Sequence, residues 1–387
     1  MPARAYDARY PAVADLKVLA RRRLPKFAFD YLEAAIDCEL GKARNRSALQ
    51  DVQLIPRYLR DVSTVDTTVT VFDHSYAMPI GVAPVGLGNM MWPGAELALA
   101  SAAQKANVPY VLSSFSTTAM EKIIERAPTV SWFQLYVPRR RQHMQQLVRR
   151  VQTAGFNALV VTVDVPIGAK RNRELKNGLK LPLSPTPSLL WQCLTHPNWA
   201  VRSLFAGWPD FVNIQDYRDD PRQQLADFIS SFAMAGVTIE RLREIRQLWQ
   251  GPLVVKGLQH VDDMALAIEA GVDGIVVSNH GGRQLDAAEA SVHSFSQAID
   301  QLADRQVTWM LDGGIRSGLD VVRSLALGAH MTFSGRSFFY GVGALGAKGA
   351  DQVMGIFADE VSRTLGQLGC VKACAIGRDY LVSSLAR

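Results

Sequence analysis

Eight short apolar runs recur along the 387-residue chain and constrain its fold more than any other feature. Stretches with helical periodicity separate them, among them 94–107, 261–271 and 317–328. Eight strands that alternate with helices predict a closed (β/α)8 barrel (a TIM barrel) rather than a large open parallel sheet. The runs are "MPIGVAP" (78–84), "PYVLSS" (109–114), "VSWFQLYV" (130–137), "ALVVTVD" (158–164), "PLVVKG" (252–257), "DGIVVSN" (273–279), "VTWMLDG" (307–313) and "HMTFSG" (330–335).

We expect residues 1–387 to form this one domain, with an N-terminal helical segment and an apolar insertion at 177–214, after the fourth strand. Four cysteines without zinc-type spacing indicate reduced thiols in a cytoplasmic protein, and no metal site is expected. No apolar run reaches the roughly 18 residues of a membrane span, and no secretion signal is expected.

The formal net charge of +6 fits an anionic ligand or an acidic membrane surface. The run "RRRQHMQQLVRR" (139–150) has helical spacing and predicts a solvated helix face. No basic patch interleaved with aromatic residues is present in the sequence, so nucleic acid is not an expected partner.

Polar residues cluster where the predicted strands end. In a (β/α)8 barrel these ends meet at one face, where the active site forms, so the sequence predicts a catalytic face there. The groups at or just after the strand ends are Pro84, Val85, Gly86, Ser113, Gln134, Tyr136, Thr162, Asp164, Lys256, Ser278, His280, Asp312, Gly313, Gly314, Gly335 and Arg336.

The stretch "SNHGGRQLD" (278–286) follows the sixth run and carries His280 and Arg283 around two glycines. A histidine at a strand end titrates near neutral pH, and an arginine three residues later supplies a fixed positive charge. A structural role is the usual one for a lone histidine, but this placement favours catalysis.

The seventh and eighth runs end in "DGGIRSG" (312–318) and "SGRSF" (334–338). Their glycines allow backbone N–H groups to approach an anion, and Arg316 and Arg336 add charged donors, so a phosphate site is expected there. The alternative is that the glycines only form tight turns. No GxGxxG follows an early strand, which argues against a nicotinamide cofactor held in a Rossmann fold.

Further polar groups nearer the barrel axis predict a ligand larger than a sugar phosphate, such as a flat heterocycle. Lys256 ends an apolar run, and a buried ammonium needs a negative partner. A reduced flavin would be one such partner.

Several motifs together resemble the FMN-dependent 2-hydroxy-acid dehydrogenase and oxidase family. The resemblance runs in order over roughly residues 6 to 385 and is greatest to the mandelate-oxidising members, with lactate and glycolate enzymes as relatives. The motifs are "LPKFAFDYLE" (24–33), "WFQLYV" (132–137), "VTVDVP" (161–166), "VVKG" (254–257), "SNHGGRQLD" (278–286), "LDGGIRSGLDV" (311–321) and "LALGA" (325–329).

This resemblance implies FMN as the cofactor and oxidation of an (S)-2-hydroxy acid to the 2-keto acid. His280 would be the base, oriented by Asp164, with Tyr136 close to the substrate oxygen. The substrate carboxylate would meet Arg173, Arg283 and Tyr31, although Lys170 and Arg171 compete with Arg173 in the same loop. The implied FMN contacts are Pro84, Val85, Gly86, Ser113, Gln134, Thr162, Lys256, Ser278, Asp312, Gly313, Gly314, Arg316, Gly335 and Arg336.

Two positions bear on acceptor and substrate. Gly86 resembles the dehydrogenase members, whereas oxidases more often carry alanine there, so a quinone-type acceptor is favoured. Phe115 stands where relatives carry either tryptophan or a small residue, which leaves mandelate-like and lactate-like substrates open. A soluble oxidase that forms hydrogen peroxide, and a flavin-binding barrel with an isomerase or binding role, are the alternatives.

The insertion at 177–214 holds three tryptophans (Trp191, Trp199 and Trp208) and very few acidic residues. Such a segment is able to enter the interfacial region of a bilayer, and a lid or subunit contact is the alternative. Resemblance to the membrane-bound mandelate enzyme favours peripheral attachment to the inner face of the cell membrane. The family also implies a tetramer. Because every proposed catalytic group lies outside 177–214, we expect the segment to be dispensable for catalysis.

Overall fold

The computed structural model describes residues 6–178, 186–207, 210–218, 228, 232, 236–302 and 304–382. Eight parallel strands close into a barrel, in which the last strand pairs with the first and the others pair in chain order. The predicted (β/α)8 barrel is therefore confirmed. Its strands are β3 (Ile80–Val82), β4 (Tyr110–Ser113), β5 (Ser131–Tyr136), β6 (Ala158–Thr162), β7 (Leu253–Leu258), β8 (Gly274–Val277), β9 (Thr308–Asp312) and β10 (Met331–Ser334).

Burial on both faces explains why these strands appear in the sequence as continuous apolar runs. Every residue of β3, β4, β6, β8 and β10 is buried. Parallel strands covered by helices outside and by packed side chains inside have no solvated face, so polar and apolar residues do not alternate along them. Polar residues are then confined to the strand ends.

Helices connect the strands and cover the outside of the barrel. The described helices are α1 (Val13–Arg23), α2 (Lys26–Glu33), α3 (Leu40–Gln50), α4 (Gly88–Met91), α5 (Ala95–Ala106), α6 (Met120–Arg126), α7 (Arg141–Ala154), α8 (Asn172–Lys176), α9 (Pro187–Thr195), α10 (Pro197–Ala206), α11 (Ile239–Leu248), α12 (Val261–Glu269), α13 (Ser291–Leu302), α14 (Gly318–Ala326), α15 (Arg336–Leu345) and α16 (Ala347–Gln367). Short 3-10 turns occupy Gln215–Tyr217, Ala373–Ala375 and Arg378–Tyr380.

Helix α7 contains most of the basic run 139–150. Its buried side chains are Met144, Leu147, Val148 and Val151, which recur at the spacing of one helix face. The opposite face carries the exposed Gln142, Gln146 and Arg149, and Arg141, at the edge of the buried face, pairs its exposed guanidinium with a glutamate of α11. The predicted solvated helix face is confirmed.

A β-hairpin covers the amino-terminal end of the barrel. Its strands are β1 (Val69–Val71) and β2 (His74–Tyr76), paired antiparallel. The ring of Phe72, in the turn, lies 5.5 Å from that of Trp132, whose indole nitrogen donates a 3.1 Å hydrogen bond to the Tyr76 hydroxyl. This end is filled with packed rings, so the opposite end is the one left to bind a ligand.

The N-terminal helical segment extends across that opposite end. Arg283 donates hydrogen bonds to the backbone oxygens of Tyr31, in α2, and Ala34, just after it, at 3.0 and 2.6 Å. Asn45, in α3, hydrogen-bonds to Asn279. The segment thus forms part of the site rather than a separate unit.

The insertion contains two helices, α9 and α10. The Thr186 hydroxyl caps α9 by accepting from the backbone N–H of Leu189 at 3.2 Å. Trp199 is buried, and its indole N–H is directed to the backbone oxygens of Met90 and Met91. Trp208 and residues 179–185 lie outside the described residues. Within the described part of the chain, no helix has both the length and the apolar character that crossing a bilayer requires.

Candidate active site

A cavity of about 680 Å³ opens at the carboxyl ends of the barrel strands. Its size lies in the range of small-molecule and cofactor sites. Most of the residues predicted from the sequence line it, so strand ends that are distant in sequence do converge. The predicted residues that line it are Tyr31, Pro84, Val85, Gly86, Tyr136, Thr162, Lys256, His280, Arg283, Asp312, Gly313, Gly314, Arg316, Gly335 and Arg336.

Three other predicted residues, Ser113, Gln134 and Ser278, are buried at the strand ends but are not among the cavity-lining groups. The Ser113 hydroxyl donates to the Gln134 side-chain oxygen at 2.9 Å. This bond orients the amide, whose nitrogen has no partner among the described residues. Ser278 accepts from the Lys256 ammonium at 2.9 Å.

His280 and Asp164 form a pair between the loops that follow β8 and β6. The imidazole Nδ1 lies 2.9 Å from a carboxylate oxygen of Asp164. A carboxylate only accepts hydrogen bonds, so this contact assigns the proton of a neutral ring to Nδ1 and leaves Nε2 as the basic nitrogen.

The backbone at His280 has a left-handed conformation, with φ at +57°. Gly281 and Gly282 continue it with φ of +66° and +74°, which glycine adopts without the penalty that a Cβ brings. The backbone N–H of His280 donates to the Ser278 hydroxyl at 3.0 Å. These turns direct the imidazole back over the barrel mouth.

Asn45 supports this loop from α3 and was not predicted. Its amide exchanges two hydrogen bonds with that of Asn279, at 2.7 and 2.9 Å. The Asn279 side-chain oxygen also accepts from the backbone N–H of Gly282 at 3.1 Å. Asn45 lies between two arginines in a polar helix, so nothing in the sequence distinguishes it from a solvent-facing residue.

Burial and the charge of the partner shift the pKa of His280 in opposite directions, and the same holds for the pKa of Asp164. Burial lowers the pKa of His280 below its ordinary value, and the Asp164 charge offsets only part of that effect. For Asp164, burial works to raise the pKa, but the His280 charge and hydrogen bond, with Lys256, bring it below its usual range. At neutral pH the pair is therefore a neutral imidazole beside a carboxylate.

Lys256 has a partner within the protein. Its ammonium lies 2.8 Å from a carboxylate oxygen of Asp312, and both side chains are almost fully buried. Burial works to lower the pKa of Lys256, yet Asp312 and Asp164 bring it above its ordinary value. Asp312 is thus a negative partner of the kind that the sequence predicted for this ammonium, so the Lys256 charge by itself does not require a flavin.

Two arginines form a basic end of the cavity, namely Arg283 and Arg171. Arg283 is held over the Tyr31 ring, with its guanidinium carbon 5.5 Å from the ring centre. Glu174 is the carboxylate near both, at 3.2 Å from Arg171 and 3.4 Å from Arg283. Burial lowers the pKa of Arg283, and repulsion from Arg171 adds to this. An anion here would relieve both effects.

Arg173 does not reach the cavity, which corrects the sequence-based assignment. Its guanidinium lies 2.8 Å from Glu39 and 3.7 Å from Asp30, which places it between α8 and the N-terminal segment. Arg171, named above as a competitor, lines the cavity instead. Arg171 is the extended residue before α8 and Arg173 lies in the first turn of the helix, and the two side chains point to different sides.

The glycine-rich turns lie at another part of the cavity. Gly313 and Gly314 both have φ of +92°, a conformation that side-chain-bearing residues rarely adopt. Arg316 and Arg336 line the same region. The Arg336 guanidinium donates to the backbone oxygens of Leu32, Gly281 and Ala34 at 2.9 to 3.0 Å. Its charge therefore also ties the N-terminal segment to the His280 loop.

The polar groups fit a flavin mononucleotide. The Gln134 side-chain nitrogen and the Thr162 hydroxyl are buried without a partner in the described structure. Both lie toward the carboxyl ends of the neighbouring strands β5 and β6, and Thr162 lines the cavity, so these groups would be free to bond to the edge of a heterocycle. Arg316 and the turn at Gly313 and Gly314 suit a phosphate. These residues can hold FMN at both of its ends.

An aromatic wall closes one side of the cavity. The Phe115 ring lies 4.7 Å from that of Tyr136 and 5.2 Å from that of Phe211. Phe211 belongs to the insertion and is fixed by Asn213, whose side chain bonds to the backbone of Thr118 and Met120. The expectation that 177–214 is dispensable for catalysis did not allow for this contact, because Phe211 lines the cavity.

The chain was compared with known proteins. The FMN-dependent dehydrogenase family matches residues 20–383. The (S)-mandelate dehydrogenase of Pseudomonas putida is 36% identical over 369 residues, covering 95% of this chain and 93% of that protein. The L-lactate dehydrogenase of Stenotrophomonas maltophilia (strain K279a) is 38% identical over 380 residues, covering 96% and 98%.

Solved structures of similar proteins indicate the same family. The crystal structure of the monotopic membrane protein (S)-mandelate dehydrogenase superposes with a TM-score of 0.91 at 35% identity, covering 96% of this chain and 98% of that one. A mandelate oxidase structure reaches 0.81 at 34% identity, covering 95% and 97%.

The barrel, the His280–Asp164 pair and the two ends of the cavity define a flavin-dependent oxidoreductase. The chain belongs to the FMN-dependent dehydrogenase family, among 2-hydroxy-acid dehydrogenases and oxidases, and FMN is its cofactor.

The effect of the Asp164 charge on the pKa of His280 can be measured directly. Asp164→Asn removes the charge that raises the His280 pKa, so we expect an NMR titration of the ring to give a lower pKa than in the wild type. The matched control is Asp262→Asn, which removes an exposed carboxylate that lies beside His260 and not beside His280, and the His280 pKa should be unchanged there. An unchanged or higher His280 pKa in Asp164→Asn would contradict the assignment.

Proposed function

We propose that this protein oxidises an (S)-2-hydroxy acid to the corresponding 2-keto acid and passes the electrons to a quinone-type acceptor. The observation that carries the proposal is that His280, held by Asp164 behind it, lines the same cavity as Arg171 and Arg283. A base beside two fixed positive charges suits a substrate with a hydroxyl and a carboxylate on adjacent carbons.

Arg171 and Arg283 bind the carboxylate in this proposal, and Arg171 takes the role first given to Arg173. The Arg171 Nε is buried without a partner among the described residues. Glu174 supplies one negative charge against two guanidiniums. A substrate carboxylate would satisfy the free donors and balance the charge, which fixes the orientation of the hydroxyl-bearing carbon.

His280 takes a proton through Nε2. Oxidation of the alcohol carbon removes two electrons and two protons, and bound FMN would accept both electrons together with the proton that His280 does not take. The Asp164 carboxylate holds the ring in one tautomer and stabilises the imidazolium that forms. Tyr136 lines the cavity beside them and lies close to the substrate oxygen in this arrangement.

The substrate side chain would lie against the aromatic wall of Phe115, Tyr136 and Phe211. Stacked and tilted rings at 4.7 to 5.2 Å form an apolar surface that favours an aryl or large aliphatic group over a methyl group. This supports a mandelate-like substrate ahead of a lactate-like one.

Gly86 supports a dehydrogenase rather than an oxidase. A methyl group at this position would lie 3.1 Å from Cβ and 3.3 Å from the carbonyl oxygen of Phe115. The alanine that oxidases more often carry would therefore crowd the aromatic wall in this chain. Oxygen remains the alternative acceptor, since a mandelate oxidase is among the similar structures.

Helices α9 and α10 support contact with a membrane. They expose a set of large apolar side chains, while Trp199 fastens α10 to the barrel. Arg202, also on α10, reaches back to within 5.5 Å of the Trp92 ring. A similar protein is a monotopic membrane protein, and we place this chain on the inner face of the cell membrane. The exposed residues are Leu190, Trp191, Leu194, Val201, Leu204 and Phe205.

The proposed reaction is tested by adding 2-hydroxy acids to the oxidised holoenzyme without oxygen. We expect (S)-mandelate to bleach the flavin absorbance fastest, L-lactate more slowly and the (R)-acids not at all. Air is then admitted to the same sample. In air the flavin should stay reduced for far longer than one turnover takes. When a soluble quinone is then added, the flavin should be re-oxidised at once.

A flavin that stays oxidised with every 2-hydroxy acid would exclude the proposed function. Rapid re-oxidation by air, with one hydrogen peroxide formed per substrate, would instead identify an oxidase.

The membrane contact is tested without deleting the insertion, because Phe211 must stay in place. Leu204→Ser with Phe205→Ser removes two of its most exposed apolar side chains. Each contributes roughly 1.5–3 kcal/mol when buried, so binding to lipid vesicles should fall by at least tenfold. Flavin reduction should be unchanged. Leu266→Ser, an exposed leucine on α12, is the control. Wild-type protein that does not bind vesicles would refute the membrane contact.

A further inference from the structure

Helix α8 carries the substrate-binding arginine but is held without apolar packing. Arg171 is its N-cap residue, and none of its residues is buried. The helix lies against α2 and follows the loop that carries Asp164. An element of one turn that buries no apolar surface depends on polar contacts for its position.

Apart from the ion pair of Glu174 with Arg283, the polar contacts that α8 and Asn177 make to other parts of the described chain go to the segment 26–39. Arg173 reaches Glu39 at 2.8 Å and Asp30 at 3.7 Å. Asn177, just after the helix, donates to Asp30 at 2.8 Å and accepts from a lysine of α2 at the same distance. The Asp30 and Glu39 side chains are 9% and 15% exposed, so these ion pairs are less screened than pairs on an open surface.

The same segment also holds the second substrate-binding arginine. The backbone oxygen of Ala34 accepts from Arg283 at 2.6 Å, and that of Tyr31 accepts at 3.0 Å. Glu39, which anchors Arg173, has a left-handed backbone with φ of +62° and accepts from the backbone N–H of Ala35 at 3.2 Å. Both arginines are thus positioned from one short stretch of chain.

We propose that Arg173 is a positioning residue: its ion pairs with Glu39 and Asp30 hold α8 against the N-terminal segment and thereby fix Arg171 at the cavity. The inference rests on the proposed function for the role of Arg171. Arg173 does not line the cavity, so it acts on the substrate only through the position of Arg171. We therefore expect its loss to change substrate affinity.

Arg173→Gln should raise the KM for the 2-hydroxy acid about 3- to 10-fold, the size expected of a half-exposed ion pair, with kcat within about twofold of the wild type. Arg173→Lys keeps the charge and should restore most of the affinity. Glu39→Gln should raise KM similarly, and the double variant should be no worse than the larger single effect, because the two groups act as one pair.

Arg141→Gln is the matched control. It removes an ion pair of the same kind, 2.5 Å from Glu244, between outer helices, and should leave KM unchanged. Hydrogen exchange of the α8 amides supplies a readout that needs no substrate. Exchange should be faster in Arg173→Gln and in Glu39→Gln than in the wild type, and unaltered in Arg141→Gln.

Unchanged exchange or unchanged KM in Arg173→Gln would overturn the proposal, as would a loss of kcat without a change in KM. If the wild type oxidises no 2-hydroxy acid, the proposed function has failed. The exchange comparison then still decides whether Arg173 holds α8.

Discussion

The balance of buried charge at the carboxyl ends of the barrel strands is the constraint on which the site depends. Lys256 lies 2.8 Å from Asp312 and His280 lies 2.9 Å from Asp164, and all four side chains are largely away from water. An isolated ion in such surroundings is strongly destabilising, so each is paired. Burial lowers the pKa of His280 and keeps the ring neutral, while the hydrogen bond to Asp164 leaves Nε2 as the basic nitrogen, which is the state that a proton acceptor needs.

The excess positive charge is not balanced in the same way, and this asymmetry supports an anionic substrate. Arg283 and Arg336 donate chiefly to backbone oxygens, which satisfy hydrogen bonds but cancel no full charge. Those oxygens come mostly from 31–34, so the N-terminal segment completes a site that the barrel alone would leave open. The insertion completes it on another side, through Phe211.

The strands and the residues at their ends were predictable because a buried parallel strand has a continuous apolar signature and its end is where polar residues return. What the sequence left open depends on contacts between distant segments. Arg171 and Arg173 differ only in the direction in which a short helix turns them. The pairing of Lys256 with Asp312 depends on the order of the strands in the barrel. The position of Phe211 at the cavity depends on the path of the loop that carries it. No feature of the sequence marked Asn45 as a residue of the site.

The central claim, that His280 is the base that starts oxidation, is tested most directly by anaerobic stopped-flow reduction of the His280→Ala holoenzyme. FMN should stay bound, because its proposed phosphate contacts lie elsewhere. The reduction rate should fall by about 10²–10⁴, the usual effect of losing a general base. His260→Ala, at an exposed histidine, should react as the wild type does. Near-normal reduction in His280→Ala would contradict the account.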